Sequence, residues 1–153
     1  MSGSGGAKVN VNLLVMPAGL RRKIEAEGAA AYPNECCGML IGRDVSGRRL
    51  VERLEPGQNV FAADERYHRF SIDPRAQLKA DREAEAEGRV VLGFYHSHPD
   101  HPARPSEYDR EHAWPFYSYV IVAIAKGKPA DMTSWVLDDK TNQFLAQKVV
   151  AED

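Results

Sequence analysis

Short apolar runs, broken by glycine, proline and charged residues, alternate along the chain with two stretches of helical periodicity. Alternating apolar positions predict a first strand over 8–15. Further apolar runs predict strands at 35–42, 49–54, 67–72, 90–95, 117–125, 132–137 and 144–150. The first two of these, at 35–42 and 49–54, are expected to form a hairpin, because a turn-forming sequence separates them.

Proline and aspartate mark where the helices are predicted to begin. Pro17 suits the first turn of a helix that ends near residue 33. Asp73 and Pro74 predict the N-cap and first position of a second helix, which stops at Gly88. A short third helix is predicted over 106–113. This order of elements predicts an α/β fold, in which helices flank a single mixed β-sheet.

The chain shows no repeat and no linker, so we expect one domain over 8–153, preceded by a flexible tail over 1–7. Its 153 residues are enough to form a core without disulfides, and its net charge is −2. That charge balance gives no electrostatic footprint for nucleic acid or an anionic membrane. The apolar runs are too short for a transmembrane helix, and the first residues lack the pattern of a signal peptide.

The two cysteines, Cys36 and Cys37, are adjacent. Neighbouring residues of a strand point to opposite faces, so an ordinary disulfide between them is not expected. This cysteine content is typical of the reducing cytoplasm, where we expect the protein to act. The pair could bind zinc or act in redox chemistry, but two small buried residues are the simpler interpretation.

His96 and His98 stand two positions apart at the end of an apolar run. In a strand they would point to one side and could reach one ion, whereas alone they could equally be polar residues at a strand end. Asp109 could supply a third ligand and leave one zinc position for water, which is the catalytic arrangement of zinc. Ser106 and Asp109 also fit a capping box, and the two roles are compatible.

A hydrolytic zinc site also requires a proton shuttle. Glu35 is the best candidate, because it opens an apolar strand where a lone carboxylate is unexpected. An exposed residue at a strand edge is an equally good interpretation of Glu35. Glu107 is close to the cluster in sequence and stays open as an alternative.

Together, Glu35, His96-Ser97-His98, Ser106 and Asp109 resemble the signature of the JAMM/MPN+ zinc metalloproteases. The resemblance covers most of the chain. The segments that carry it are 32–42, Asn59, 70–74, 93–99 and 105–109.

This resemblance implies a cytidine-deaminase-like MPN/JAMM fold and one zinc ion per chain. His96, His98 and Asp109 would bind the zinc, with a water as fourth ligand. Glu35 would take a proton from that water and pass it to the leaving amine, and Ser106 would donate a hydrogen bond to the oxyanion.

Three other polar residues near the motif receive no chemical role. We expect Ser97 to support the turn. His101 and His112 fall outside the family positions, and we expect them on the surface or at a pocket rim.

Family members remove ubiquitin or ubiquitin-like proteins by hydrolysing the bond after a C-terminal Gly-Gly. Residues 32–38 resemble the stand-alone prokaryotic members, which are associated with ubiquitin-fold sulfur carriers. The resemblance therefore implies a zinc peptidase or isopeptidase that acts on such a carrier. The oligomeric state stays open between monomer and homodimer. We expect the tail to pair with the strand at 90–95.

Three other functions compete with this one. A zinc hydrolase could act on a different amide, such as a cell-wall peptide or a small metabolite. A non-catalytic MPN scaffold would bind protein partners, but such proteins usually lack the metal ligands, and here the set is complete. A zinc deaminase would need a Cys-x-x-Cys pair, which Cys36 and Cys37 do not form.

Overall fold

The computed structural model describes residues 13–59 and 72–152. In this part of the chain, eight strands form one sheet in the order β7-β6-β5-β4-β2-β3-β1-β8. The elements, in chain order, are β1 (Leu13–Val15), α1 (Ala18–Ala31), β2 (Cys37–Val45), β3 (Arg48–Gly57), α2 (Pro74–Ala86), β4 (Val90–Pro99), α3 (Glu107–Glu111), β5 (Ser118–Ala125), β6 (Lys128–Asp138), β7 (Gln143–Gln147) and β8 (Val149–Val150).

The sheet is mixed, as the sequence predicts. β4 pairs parallel with β5, and β1 pairs parallel with β3 and β8, while the other neighbours are antiparallel. Helix α1 covers one face, where Leu20 and Ile24 pack with the main core, and α2 covers the other through Ala80 and Ala84. None of the helices in the described residues is both long and apolar enough to span a membrane.

The helix boundaries follow the capping signals closely. Pro17 occupies the N-cap of α1 rather than its first turn. Asp73 caps α2 by accepting a hydrogen bond from the Arg75 amide at 2.9 Å, and Pro74 is the first helical residue. Gly88 follows the end of α2 with φ of +74°, a conformation that glycine adopts without strain. The short α3 is confirmed, although it is narrower than the predicted 106–113.

The strands depart from their predicted bounds in several places. β4 continues to Pro99, so both histidines lie within the strand rather than after it. β6 begins at Lys128, because Lys126 and Gly127 both take positive φ and make a two-residue hairpin. The predicted strand at 144–150 divides into β7 and β8, which lie at opposite edges of the sheet.

Some predicted features lie outside the described residues. They are the tail over 1–7, the part of the first strand before Leu13, and all of the predicted 67–72 strand except Ile72, which is not in a strand.

Two glycines allow close packing around β4, the strand that bears the histidines. A Cβ on Gly38 would lie 2.2 Å from the ring of Tyr95, which is fully buried and donates a hydrogen bond to Glu27 at 2.7 Å. A Cβ on Gly93 would lie 1.8 Å from the backbone oxygen of Ser118 on β5. The absence of side chains at these positions therefore lets β4 pack tightly in the middle of the sheet.

Candidate metal centre and active site

The alternation of β4 separates its polar residues by face. His96 and His98 point to the face that α2 and α3 share, and both are buried. Ser97 points to the α1 face, where its Oγ accepts a hydrogen bond from the Cys36 amide at 2.8 Å. The Ser97 amide in turn donates to the Cys36 carbonyl at 3.2 Å. Ser97 thus has a structural role, but it ties β4 to the segment before β2 rather than supporting a turn as expected.

The start of α3 brings Asp109 to the two histidines. Ser106 is the N-cap, and its Oγ accepts a hydrogen bond from the Asp109 amide at 3.0 Å. The Ser106 amide donates back to Asp109 Oδ2 at 2.8 Å, which completes a capping box. The same Oδ2 faces the histidines, so the capping box is compatible with a metal role for Asp109.

Three ligand atoms form a nearly equilateral triangle. The two Nε2 atoms of His96 and His98 are 3.1 Å apart, and Asp109 Oδ2 lies 3.3 Å from the first and 3.2 Å from the second. Donors of a tetrahedral zinc ion at about 2.0–2.1 Å stand about 3.3–3.4 Å from one another. The triangle therefore fits one face of such a tetrahedron, and its two nitrogens and one oxygen are ligands that zinc accepts.

The tautomer of His98 is fixed by its second ring nitrogen. His98 Nδ1 lies 2.9 Å from the carbonyl oxygen of Pro102. Because a carbonyl only accepts, Nδ1 carries the proton, and the lone pair of Nε2 is left for a metal. The proline-rich loop after β4 thus orients one of the candidate ligands.

The electrostatics of the cluster favour a bound cation. Burial lowers the pKa of His96, but Asp109 and Glu35 more than offset this effect and raise its pKa above the ordinary value. Burial also raises the pKa of Asp109, yet the charge of His96 and the hydrogen bonds to this carboxylate hold its pKa well below the usual range. Two carboxylates thus draw positive charge into a buried site, as a metal centre requires.

Glu35 is buried beside this cluster, with 6% of its surface exposed. It lies two residues before β2, so the prediction that it opens the strand is wrong. The contacts between Cys36 and Ser97 hold this segment against β4, which explains its burial and excludes an exposed strand-edge position. Burial raises the pKa of Glu35 to about 7, although the two histidines act in the opposite direction. A carboxyl group with such a pKa can both accept and return a proton near neutrality.

Glu107 is poorly placed for the same task. Its side chain is 70% exposed and pairs with Arg110 in the next turn of α3. Arg110 lowers the pKa of Glu107, so this carboxylate is a weaker base than Glu35. The structure therefore favours Glu35 as the proton shuttle.

The burial of Glu35 gives a stability prediction for the metal-free protein. Between about pH 4.3 and 7, the unfolded chain releases a proton that the folded chain keeps, so folding stability falls as the pH rises. Glu35→Gln removes this penalty, and at pH 8 we expect it to raise the free energy of unfolding by on the order of 3 kcal/mol. Denaturant titrations with chelator at pH 4 and pH 8 test this. The gain should vanish at pH 4, and a gain of equal size at both values would contradict the assignment.

Both cysteines are free thiols; Cys37 is buried and Cys36 is partly buried. Burial raises the pKa of Cys36 to about 11 and that of Cys37 to about 12, so neither is a reactive thiolate near neutrality. Among the described residues, His96, His98 and Asp109 are the ones grouped closely enough to share an ion. The structure therefore supports a buried structural role for Cys37 and a partly buried one for Cys36, and it gives no support for zinc binding by the cysteines.

The expected peptide groove beside 90–95 is wrong for the second half of that segment. β4 pairs with β2 through Val90–His96 and with β5 through Gly93–Pro99, so residues 93–95 have no open edge for a third strand. Sequence reasoning identified the apolar strand but not its position in the middle of the sheet.

An aromatic pocket of about 280 Å³ lies beside His96 and Asp109. Its apolar lining is assembled from β4, β5, β7 and the loops around them, so no local sequence pattern indicates it. These residues are Ile72, Phe94, Pro105, Trp114, Tyr119, Ile121 and Phe144. His112 also lines this pocket, whereas His101 lines a separate surface groove, so both lie where the sequence analysis expected them.

Helices on both faces of a mixed sheet, with a His-x-His on a central strand and an Asp from a short helix beside it, are the features of a JAB/MPN-type domain with a candidate metal site. The chain belongs to the prokaryotic JAB family: the family model described as "Prokaryotic homologs of the JAB domain" matches residues 17–138. The resemblance seen in the sequence is thereby confirmed.

The chain is similar to three relatives with assigned activities. A desampylase of Haloferax volcanii is 42% identical over 97 residues, which cover 62% of this chain and 67% of the relative. A probable TtuB-protein conjugate cleaving protease of Thermus thermophilus is 38% identical, with 71% and 69% covered. A CysO-cysteine peptidase of Mycobacterium tuberculosis is 32% identical, with 86% and 88% covered. Relatives of this chain are thus enzymes that cleave peptide or conjugate bonds.

Solved structures support the same fold. The solution structure of protein DSY2949 from Desulfitobacterium hafniense is 33% identical and superposes with a TM-score of 0.79, covering 92% of this chain and 94% of that one. A JAB1/MPN domain protein from Archaeoglobus fulgidus is 20% identical, with a TM-score of 0.53 and coverage of 90% and 96%. At that identity, the second likeness concerns the fold alone.

Proposed function

We propose that this chain is a zinc-dependent peptidase or isopeptidase. It hydrolyses the amide bond after the C-terminal Gly-Gly of a ubiquitin-like sulfur-carrier protein. The observation that carries this proposal is the triangle of three ligand atoms beside a buried carboxyl group, Glu35, whose pKa is about 7. The relatives support the substrate class, since their names describe cleavage of TtuB-protein conjugates and of a CysO-cysteine bond.

One zinc ion per chain would be held by His96, His98 and Asp109. Bound zinc lowers the pKa of a coordinated water toward about 7 and polarises a carbonyl. Glu35 would accept the proton of the attacking water and return it to the nitrogen of the leaving amine. The fixed tautomer of His98 and the capping box around Asp109 would hold two of the ligands before substrate arrives.

Ser106 would donate its hydroxyl proton to the developing oxyanion. Its Oγ already accepts a hydrogen bond from the Asp109 amide, and a hydroxyl that accepts can also donate. The side chain is exposed at the start of α3, next to one of the proposed metal ligands. This position supports the oxyanion role but equally serves the cap, so an experiment must separate the two.

Ser106→Gly distinguishes the capping role of Ser106 from its proposed hydrogen bond to the oxyanion. Glycine is nearly as good an N-cap as serine, so the stability loss should be only a few tenths of a kcal/mol. Loss of the hydroxyl should lower kcat by about 10²–10³-fold with zinc retained. Steady-state kinetics together with metal analysis measure both effects. An unchanged kcat would leave Ser106 with the capping role alone.

The proposal also covers the extent of the domain, its oligomeric state and its location. We place the peptidase domain at 8–153 and propose that it acts as a monomer or homodimer. Cytoplasmic location is supported by the two free thiols, which fit a reducing compartment.

The test of the proposed function uses the protein with and without metal. Elemental analysis should find close to one zinc per chain. The zinc-loaded protein should release Gly-Gly-ended carrier from carrier conjugates, and chelation should stop the reaction. If a zinc-loaded sample cleaved none of the organism's carrier conjugates, a different amide substrate or a scaffold role would replace this proposal.

A further inference from the structure

The aromatic pocket beside the metal ligands has no part in the chemistry proposed above. Its rings are packed against one another: Phe94 stacks on Tyr119 at 5.7 Å between centroids, and Tyr119 meets Phe144 edge-on at 5.8 Å. Trp114 lines the pocket with 69% of its surface exposed, and its amide donates a hydrogen bond to the Tyr119 hydroxyl at 2.8 Å. The pocket is thus a formed apolar site with an exposed tryptophan at its rim, a residue type enriched at binding hot spots.

The position of Glu35 indicates which part of a substrate this pocket can meet. Glu35 precedes β2 and does not line the pocket, whereas Tyr119 and Phe144 lie on β5 and β7, beyond β4. The leaving amine must lie near Glu35 to receive its proton. The acyl side of the substrate, which carries the Gly-Gly, therefore extends away from Glu35 and toward the pocket.

The distance from the metal ligands indicates which substrate residue enters. Phe94 and His96 lie two residues apart on one face of β4, which corresponds to about 7 Å. An extended peptide also covers about 7 Å in two residues. With the carbonyl of the last glycine at the metal centre, the two glycines span this gap, and they have no side chains to fill an apolar pocket.

We propose that the pocket formed by Phe94, Trp114, Tyr119, Ile121 and Phe144 binds an apolar side chain of the residue immediately before the Gly-Gly. The pocket thereby selects among carrier proteins. This assignment rests on the proposed function, since it takes the Gly-Gly carbonyl as the reacting group. It adds a specificity site next to the proposed metal ligands, formed by residues other than those ligands, Glu35 and Ser106.

Carrier–reporter fusions, joined through Gly-Gly and differing only in the preceding residue, test the assignment on the zinc-loaded enzyme. We expect kcat/KM for Leu or Phe at this position to exceed that for Ser or Asp by at least about tenfold, the effect of burying one such side chain. Trp114→Ala and Phe144→Ala should reduce this preference mainly by raising KM for the Leu and Phe fusions. Hydrolysis of the Ser fusion should change little.

Phe116→Ala is the matched control. Phe116 is also an exposed aromatic residue, two positions from Trp114, but it contacts Tyr117 and Arg49 and does not line the pocket. This variant should keep the full preference. Equal rates for all four fusions, or the same loss of preference in Phe116→Ala, would overturn the pocket assignment alone. Absence of zinc-dependent hydrolysis of every fusion and of natural conjugates would overturn the proposed function and the assignment with it.

Discussion

Glu35→Gln is expected to lower kcat by about 10²–10⁴-fold while the protein keeps its zinc and its KM. Glutamine has nearly the same shape as glutamate but cannot take the proton of the attacking water. Glu35 is not one of the three grouped ligand residues, so metal binding should persist. Steady-state kinetics on a carrier conjugate, combined with elemental analysis of the same sample, measure both effects.

Glu107→Gln is the control for this experiment. Glu107 is the other carboxylate that the sequence left open, and it is exposed and paired with Arg110. Its replacement should leave kcat within about twofold of the wild-type value, because removing an exposed charge that solvent screens has little effect on the His96, His98 and Asp109 cluster. Full activity of Glu35→Gln, or a large loss in Glu107→Gln, would show that the proton shuttle has been misassigned.

Asp109→Ala is expected to release the zinc and abolish hydrolysis. The substitution removes one of the three proposed protein ligands and leaves two buried histidines without the carboxylate that contributes most to favouring positive charge there. A competition assay with a zinc-sensitive dye should show an affinity loss of about a hundredfold or more, comparable to or larger than the loss of an outer-shell partner.

Asp109→Ala also breaks the capping box of α3, so it needs a control for helix damage. Ser106→Gly removes the other hydrogen bond of that box, from the Asp109 amide to the Ser106 hydroxyl, but leaves the Asp109 side chain in place. This variant should retain zinc. Zinc retention in Asp109→Ala would remove Asp109 from the ligand set. Zinc loss in both variants would attribute the effect to the helix rather than to the ligand.

The grouping of the three candidate metal ligands was predictable because local patterns place them. The two-residue period of a strand puts His96 and His98 on one face, and the Ser-x-x-Asp spacing starts a helix that turns Asp109 toward them. The helix ends were predictable for the same reason, since Asp73, Pro74 and Gly88 act on their own segment.

What was missed depends on contacts between distant segments. Glu35 is buried because Cys36 bonds to Ser97 sixty-one residues later, which the residues around Glu35 do not indicate. A single strand was predicted over 144–150 where the structure has two, because one apolar run supplies both β7 and β8 at opposite edges of the sheet. The peptide groove was misplaced because the sequence of β4 does not show which strands pair with it. The aromatic pocket was missed because its rings come from separate strands and loops.

Mass spectrometry of a cleaved carrier conjugate tests the central claim most directly. The zinc-loaded protein is incubated with a carrier whose Gly-Gly is joined to a further residue or protein, and the mass of the released carrier is measured. The account predicts a product that ends at the second glycine, formed by the wild type with zinc but not after chelation or by Glu35→Gln. A product that ends elsewhere, or one formed equally well without metal, would contradict it.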